Sequence, residues 1–179
     1  MKFLFDRIKE GDKKYLRKIV EITFFAIIIG NLAGVAVFMI ESHPYEYLYF
    51  NILAGKNMRE AKRKFEFDYW GLAYREALEY ILKHDKGRAI KIYDAFPPLA
   101  RANSYILPVE DRKRLVFVNT VRKAKYILDN YYGHKNDIPC RKKFFAVKVK
   151  GATAISVILA PCPEFESWLR KQARYGHTE

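Results

Sequence analysis

Hydrophobic and polar positions are distributed unevenly along the 179 residues of this chain. The run IVEITFFAIIIGNLAGVAVFMI occupies positions 19–40, and no charge interrupts it from Ile22 to Ile40. As a helix that uncharged stretch is about 28 Å long, close to the roughly 30 Å hydrocarbon core of a bilayer. A surface helix of a soluble domain keeps a polar face, and this run has none. The pattern therefore predicts a transmembrane helix over 19–40. Gly30, Asn31, Ala33, Gly34 and Ala36 suit it, because small residues let membrane helices approach and Asn can hydrogen-bond across them. The competing reading, a cleaved signal peptide, requires a shorter apolar region of about 7–15 residues with a small-residue cleavage site.

Beyond the run the periodicity changes. HPYEYLYFN places tyrosines at every second position, Tyr45, Tyr47 and Tyr49. That spacing fits an edge strand or a stacking platform. Its place directly after Ile40 makes it an interfacial aromatic belt, where Tyr rings sit among head groups. KNMREAKRKFEF at 56–67 reads as a short charged helix or loop, and alternation in FEFDY fits polar teeth on a strand. In DYWGLAYREALEYILKH, Tyr74, Ala77, Leu78, Ile81 and Leu82 make one apolar helical stripe, with Asp68 as its expected N-cap. AIKIYDAF, RLVFV and KYILDNYY read as strands, and PPLARANSYI opens with prolines suited to a turn or a first helical position. FFAVKVKGATAISVILA, residues 144–160, predicts a hairpin with a three-residue loop at 150–152. That register pairs Val147 with Ile155 and Phe145 with Val157, keeping one face apolar. PEFESWLRKQARY sets Phe165, Trp168, Leu169 and Gln172 at helical spacing.

Together these elements predict an α/β (α+β) chain. It has a basic N-terminus at 1–18, a transmembrane helix at 19–40, a connector at 41–67 and a small domain at 68–179. That domain carries a mixed sheet, flanking helices, a C-terminal hairpin and a last helix. Length allows one domain with a real core beside the membrane segment.

Charge sets the expected orientation. Lys13, Lys14, Arg17 and Lys18 precede the run, whereas no Lys or Arg follows it before Lys56. The positive-inside rule puts residues 1–18 in the cytoplasm and the domain outside, since long translocated domains escape that rule. The net charge of +13 favours an anionic partner or simply a solvated basic face. Outside the cytoplasm Cys140 and Cys162, opposite one another across the open end of the hairpin, can close a disulfide; two separate buried thiols are the alternative.

Sites for chemistry are few. His43, His84, His134 and His177 are scattered, no Cys-x-x-Cys occurs, and no metal or cofactor site is expected. No Gly-rich phosphate loop or Gly-x-Ser-x-Gly elbow is present. Glu66 with Asp68 makes a possible carboxylate pair, but exposed strand positions explain it equally well. Asp94 ends a strand, a position that faces ligands in open α/β sheets and also serves turns and caps. Basic residues interleaved with aromatics, as in RKAKYILDNYYGHK, suit single-stranded nucleic acid or anionic lipid head groups. An exported domain favours the lipid, so no nucleic-acid partner is expected.

HPYEYLYFN after a membrane helix, followed by FEFDYWGLAYREALEYI, resembles the C-terminal end of GT-C class membrane glycosyltransferases. These are the family-39-like enzymes related to dolichyl-phosphate-mannose protein mannosyltransferases. There a His-Pro-Tyr element follows the last membrane helix, an Asp-Tyr-Trp-Gly element comes next, and an exported α/β domain closes on a strand hairpin. The likeness spans residues 19–160. It implies a lipid-phosphate-sugar donor and sugar transfer on the external membrane face. The family's catalytic acid lies in an early loop of a multi-helix membrane region, which has no counterpart here, so the resemblance assigns no catalytic residue. It implies a docking or acceptor-shaping role for His43, Pro44, Tyr45, Tyr49 and Asn51, and for Asp68, Tyr69, Trp70 and Gly71. On this reading the chain is a truncated or split gene product, or an accessory subunit of a separate polytopic membrane subunit. An independent membrane-anchored module that binds anionic glycolipid or polymer is the alternative. A soluble basic nucleic-acid-binding protein ranks below both.

Overall fold

A computed structural model describes residues 2–51, 53–134, 138–140 and 142–175, with side chains from 13 to 171. The chain divides into two compact units, Met1–Tyr49 and Phe50–Glu179, each of which is described by itself.

The first unit is built on helix α1, Lys2–Ser42, whose Lys13–Ser42 part is long and apolar enough to cross a membrane. Its apolar side chains stand open on every side, Ile22, Phe25, Ile29 and Ile40 among them, an arrangement water does not reward. The structure is that of a chain with a single helix of membrane-spanning character among the described residues. After α1 the chain turns through a 3₁₀ segment, Glu46–Leu48. The alternating tyrosines therefore do not form a strand: Tyr45 is buried, while Tyr47 and Tyr49 are partly exposed. Tyr49 packs edge-on against Phe38 of α1, ring centroids 5.2 Å apart.

In the second unit the order is α2 (Met58–Lys64), α3 (Ala73–His84), β1 (Ile90–Asp94), α4 (Leu99–Ser104), α5 (Val109–Arg112), β2 (Leu115–Val118), β3 (Tyr126–Asp129), β4 (Lys143–Val149), β5 (Ala152–Leu159) and α6 (Glu164–Tyr175). The five strands form one mixed sheet in the order β2-β1-β3-β5-β4. β1 runs parallel to both β2 and β3, and β5 lies antiparallel between β3 and β4. This is the mixed α/β architecture the hydrophobic pattern predicts.

Each face of the sheet has its own cover. Register places Ile92, Leu128, Val157 and Phe145 on one face. There α3 lays down Tyr74, Ala77, Leu78 and Ile81, all fully buried, and Tyr80 stacks on Phe145 at 3.9 Å. On the opposite face Ile127 and Ile158 meet Phe165 of α6, with Val121, Cys140 and Cys162 beside them. The apolar stripe read from 74–82 is thus the buried face of α3, and its burial is the main reason this segment is helical. The Gln172 side chain and His177 lie outside the described residues.

The hairpin keeps the expected pairs, Phe145 with Val157 and Val147 with Ile155. Its turn differs. Lys150 and Gly151 both have positive φ, 48° and 81°, and Val149 pairs with Ala152. A two-residue turn of this kind follows the right-handed strand twist. The residue left over, Ala154, is taken up as a bulge where pairing shifts between Val147 and Lys148. Cys140 and Cys162 are joined in a disulfide beyond the ends of the ladder, Cα atoms 5.7 Å apart.

Residues 50–67, expected as part of a connector, fold with the second unit. Phe50 stacks on Phe65 and Phe67. Asn57 caps α2 by accepting from the Glu60 N–H at 3.0 Å. Arg59 Nε donates to the Gly151 carbonyl at 3.0 Å, and Lys62 Nζ to that of Thr153 at 2.6 Å. Those two cations tie α2 to the hairpin, so this basic stretch is used in packing.

Candidate functional site

The carboxyl ends of β1 and β3 are where polar groups accumulate. In a sheet ordered 2-1-3 with parallel strands, the chain leaves β1 in one direction for β2 and returns past it to β3. Such a reversal opens a crevice beyond the strand ends, where open α/β sheets bind ligands. Asp94 closes β1 and Asp129 closes β3; register puts them on opposite faces of the sheet.

Asp94 is buried and its carboxylate organises the loop that follows. It accepts from the Phe96 N–H at 3.2 Å, the Ala100 N–H at 2.8 Å and the Tyr74 hydroxyl at 2.8 Å. Burial pushes the Asp94 carboxyl above its usual value, against the pull of the three donors. Burial and the neighbouring carboxylate push the Tyr74 phenol well above 10.0, so it stays a donor at any physiological pH. Capping, one of the two roles open to Asp94 from sequence, is therefore what its carboxylate performs.

Asp129 is equally buried. It accepts from the Tyr131 N–H at 2.7 Å and lies 3.1 Å from Nε2 of His134. His134 Nδ1 has no hydrogen-bond partner among the described residues, and Trp168 meets the ring edge-on at 4.6 Å. Tyr131 has a positive φ of 63°, rare for an aromatic residue, and its hydroxyl pairs with Ser156 at 2.8 Å. Lys62 Nζ stands over its ring at 3.2 Å. This network holds the loop after β3 by groups on its own and neighbouring elements.

The Asp-Tyr-Trp-Gly residues sit against the same strand ends, and they divide by role. Asp68 is buried, not an exposed strand tooth, and FEFDY forms no strand. Its carboxylate accepts from the Ala73 N–H at 3.3 Å, serving the first turn of α3 from five residues upstream. Asn130, just past β3, donates to the Asp68 carbonyl at 3.2 Å. Gly71 has φ +67°, and a Cβ there would lie 3.1 Å from Leu99 and Tyr74. Between these two fixed residues Tyr69 and Trp70 point outward, 53% and 69% exposed. Tyr69 contacts Trp70 edge-on at 5.2 Å and Tyr132 at 5.8 Å, and Tyr132 packs on Phe96 at 3.9 Å. Glu66 is exposed and forms no pair with Asp68 in a pocket.

The His-Pro-Tyr residues belong to the other unit apart from Asn51. His43 Nδ1 lies 2.5 Å from the Glu46 carboxylate, the His43–Pro44 peptide is cis, and Tyr45 is buried. Asn51 Oδ1 accepts from the Leu53 N–H at 3.1 Å, a local turn. The structure thus brings 68–71 together with the strand ends and leaves 43–49 as a turn after α1.

A concavity of about 410 Å³ lies between the segment 121–124 and the start of α6, beside the disulfide. Arg122, Glu166, Ser167 and Arg170 line it, and Glu166 accepts from the Val121 N–H at 3.0 Å. Among the described residues no group of three His, Cys, Asp or Glu side chains is placed to hold a metal ion.

Sequence reasoning missed Phe96, Asn130 and Tyr132 as neighbours of the Asp-Tyr-Trp-Gly segment. They lie 25 to 64 residues away from it, and only the parallel pairing of β1 and β3 brings them close. No local pattern carries that information. With fold and site in view, the chain defines a mixed α/β module with aromatic residues at a strand crevice, preceded by a helix of membrane-spanning character. Scans against protein-family models, curated proteins and solved structures found no match.

Proposed function

We propose that the module is the exported terminal domain of a lipid-phosphate-sugar-dependent glycosyltransferase, anchored by α1, and that it positions an acceptor while chemistry occurs elsewhere. The observation that carries this reading is the division of labour in Asp68–Gly71. Asp68 and Gly71 are consumed by the fold, while Tyr69 and Trp70 are presented to solvent. Large exposed aromatics on a rigid turn carry a hydration cost that a binding role explains. Among the described residues the neighbouring carboxylates serve the fold: Asp94 and Asp68 accept from backbone N–H groups. Export rests on the basic flank before α1 and on the Cys140–Cys162 disulfide, which persists in oxidising compartments. The partners on this reading are the bilayer, a lipid-linked sugar and a separate polytopic membrane subunit.

The test removes and restores the chain. Membranes from source cells lacking it should lose transfer from a polyprenyl-phosphate sugar, and regain it when the purified full chain is added back. The purified chain alone should transfer nothing. Unchanged transfer in its absence would overturn the proposal, and transfer by the chain alone would overturn its non-catalytic part.

The 410 Å³ concavity favours a second reading, a membrane-anchored module that binds an anionic glycolipid or polymer through Arg122 and Arg170. Of the 33 basic and 20 acidic residues, 26 and 14 follow Tyr49, so the second unit carries +12 of the net charge. Reversal of both arginines to glutamate should abolish binding to anionic glycolipid vesicles if this reading holds, and should leave sugar transfer unchanged if the first does.

A further inference from the structure

The ring surface at the strand crevice is more specific than a general docking patch. Four aromatic side chains meet there from three separate segments: Tyr69 and Trp70 before α3, Phe96 after β1, and Tyr132 after β3. Successive contacts of 5.2, 5.8 and 3.9 Å make them one continuous surface. The first two planes lie at 90° and the next pair at 51°, so the surface is angular rather than flat.

Backbone restraint holds each contributor. Gly71 takes φ +67° and Tyr131 takes φ +63°, at the two turns that present Trp70 and Tyr132. Asn130 bridges those turns: its Nδ2 donates to the Asp68 carbonyl and its Oδ1 accepts from the Tyr132 N–H at 3.3 Å. Strained, cross-linked loops at a strand crevice are where function is stored.

Charge narrows the ligand. A phosphate at this end of the sheet would seek the N–H groups of the loop after β1, but the Asp94 carboxylate already accepts from Phe96 and Ala100. The carboxyl groups of Asp68 and Asp129 are buried nearby. The crevice therefore disfavours an anion. What remains is a neutral ligand with an apolar face to lay on rings and hydroxyls to meet the phenol and indole edges. A pyranose has both: its axial C–H groups form an apolar face and its equatorial hydroxyls ring the perimeter.

We infer that Tyr69, Trp70, Phe96 and Tyr132 form a saccharide-stacking site that takes neutral sugar units of the acceptor. This inference deepens the acceptor-positioning function proposed above and rests on it. Trp70 and Tyr69 supply the open faces, while Tyr132 and Phe96 set the angle between them.

The sequence holds two tryptophans, Trp70 and Trp168. A Trp168→Phe chain makes Trp70 the sole reporter, with none on α1 to confuse the signal. In phosphatidylcholine nanodiscs the full-length reporter chain is titrated with mannotriose, β-1,4-glucotriose and N-acetylglucosamine trimer, with glycerol and inorganic phosphate as controls. At least one trisaccharide should change the emission saturably, with half-saturation on the order of 1 mM, and neither control should. By saturation-transfer NMR, Trp70→Ala and Tyr69→Ala should each weaken that sugar about tenfold or more, while Trp70→Phe keeps most of it. Both side chains are exposed, so the alanine chains should melt at the parent temperature.

Three results would overturn the inference: no saturable response to any trisaccharide, equal binding by Trp70→Ala, or quenching of Trp70 by brominated acyl chains, which would mean that the rings face lipid. Binding is read directly, apart from transfer. Saccharide binding with transfer unaffected by loss of the chain would refute only the transferase reading. Restored transfer without saccharide binding would refute only the stacking site.

Discussion

Tyr74 and Asp94 show how one hydrogen bond links a core helix to a strand end. The phenol is fully buried on the inner face of α3, and its donor reaches Asp94 Oδ1 at 2.8 Å. Replacement by phenylalanine keeps the ring and leaves the carboxylate with only its two backbone donors. Loss of a buried hydrogen bond to a charged acceptor costs about 1–3 kcal/mol, so Tyr74→Phe should lower the unfolding free energy of the full chain in detergent by that amount, read as a lower urea midpoint at unchanged m-value. The pH dependence has a definite sign. Burial sets the folded carboxyl above 3.8, so the folded state holds its proton more tightly than the unfolded chain. Stability from this group is full below pH 3.8 and is lost as pH rises through the folded value. Tyr74 pulls that value down, so in Tyr74→Phe the declining limb should extend to higher pH. A midpoint that falls without any change in its pH profile would contradict this account of the pair.

At the scale of elements, two glycines with similar backbones should respond differently. Gly71 and Gly151 have φ of 67° and 81°, and alanine in that region costs about 1–2 kcal/mol at either. An added Cβ at Gly71 would press at 3.1 Å on Leu99 and Tyr74, whereas at Gly151 it would meet only the Arg59 guanidinium at 3.5 Å. Gly71→Ala should therefore destabilise by about 1 kcal/mol more than Gly151→Ala and disturb α3, visible as a lower melting temperature. The same contrast shows what was legible in the sequence. The α3 stripe and the hairpin register were readable because each is a local periodicity with one buried face. The turn was not, because the Ala154 bulge absorbs a residue without breaking the alternation on either side of it. FEFDY mimicked a strand because Phe65 and Phe67 both reach Phe50 with two-residue spacing, in a segment that pairs with no strand. The tyrosines at 45, 47 and 49 did the same around a 3₁₀ turn. At the site, Asp68–Gly71 and Asp94 were legible singly. Their meeting with Phe96 and Tyr132 depends on parallel strands far apart in sequence, which periodicity does not encode.

For the whole molecule the decisive quantity is which side of the membrane the second unit occupies. Charge asymmetry argues for the outside: Lys13, Lys14, Arg17 and Lys18 lie before the apolar run, and the first base after it is Lys56. Redox chemistry argues independently for the same side, since a disulfide that closes 22 residues endures only where thiols are not kept reduced. The two arguments share one test, because Cys140 and Cys162 are the only cysteines in the chain. In intact cells a membrane-impermeant maleimide should label nothing at first. After an impermeant reductant and its removal it should label both thiols. Neither step requires the membrane to be opened. If the second unit faced the cytoplasm, intact cells would resist labelling even after reduction, and permeabilised cells would label without reductant. Transfer of Lys13, Lys14, Arg17 and Lys18 to just after Ser42 should convert the first pattern into the second. Labelling in intact cells before reduction would keep the external location but remove the disulfide. Labelling only after permeabilisation would remove both and, with them, the external sugar chemistry proposed for this module.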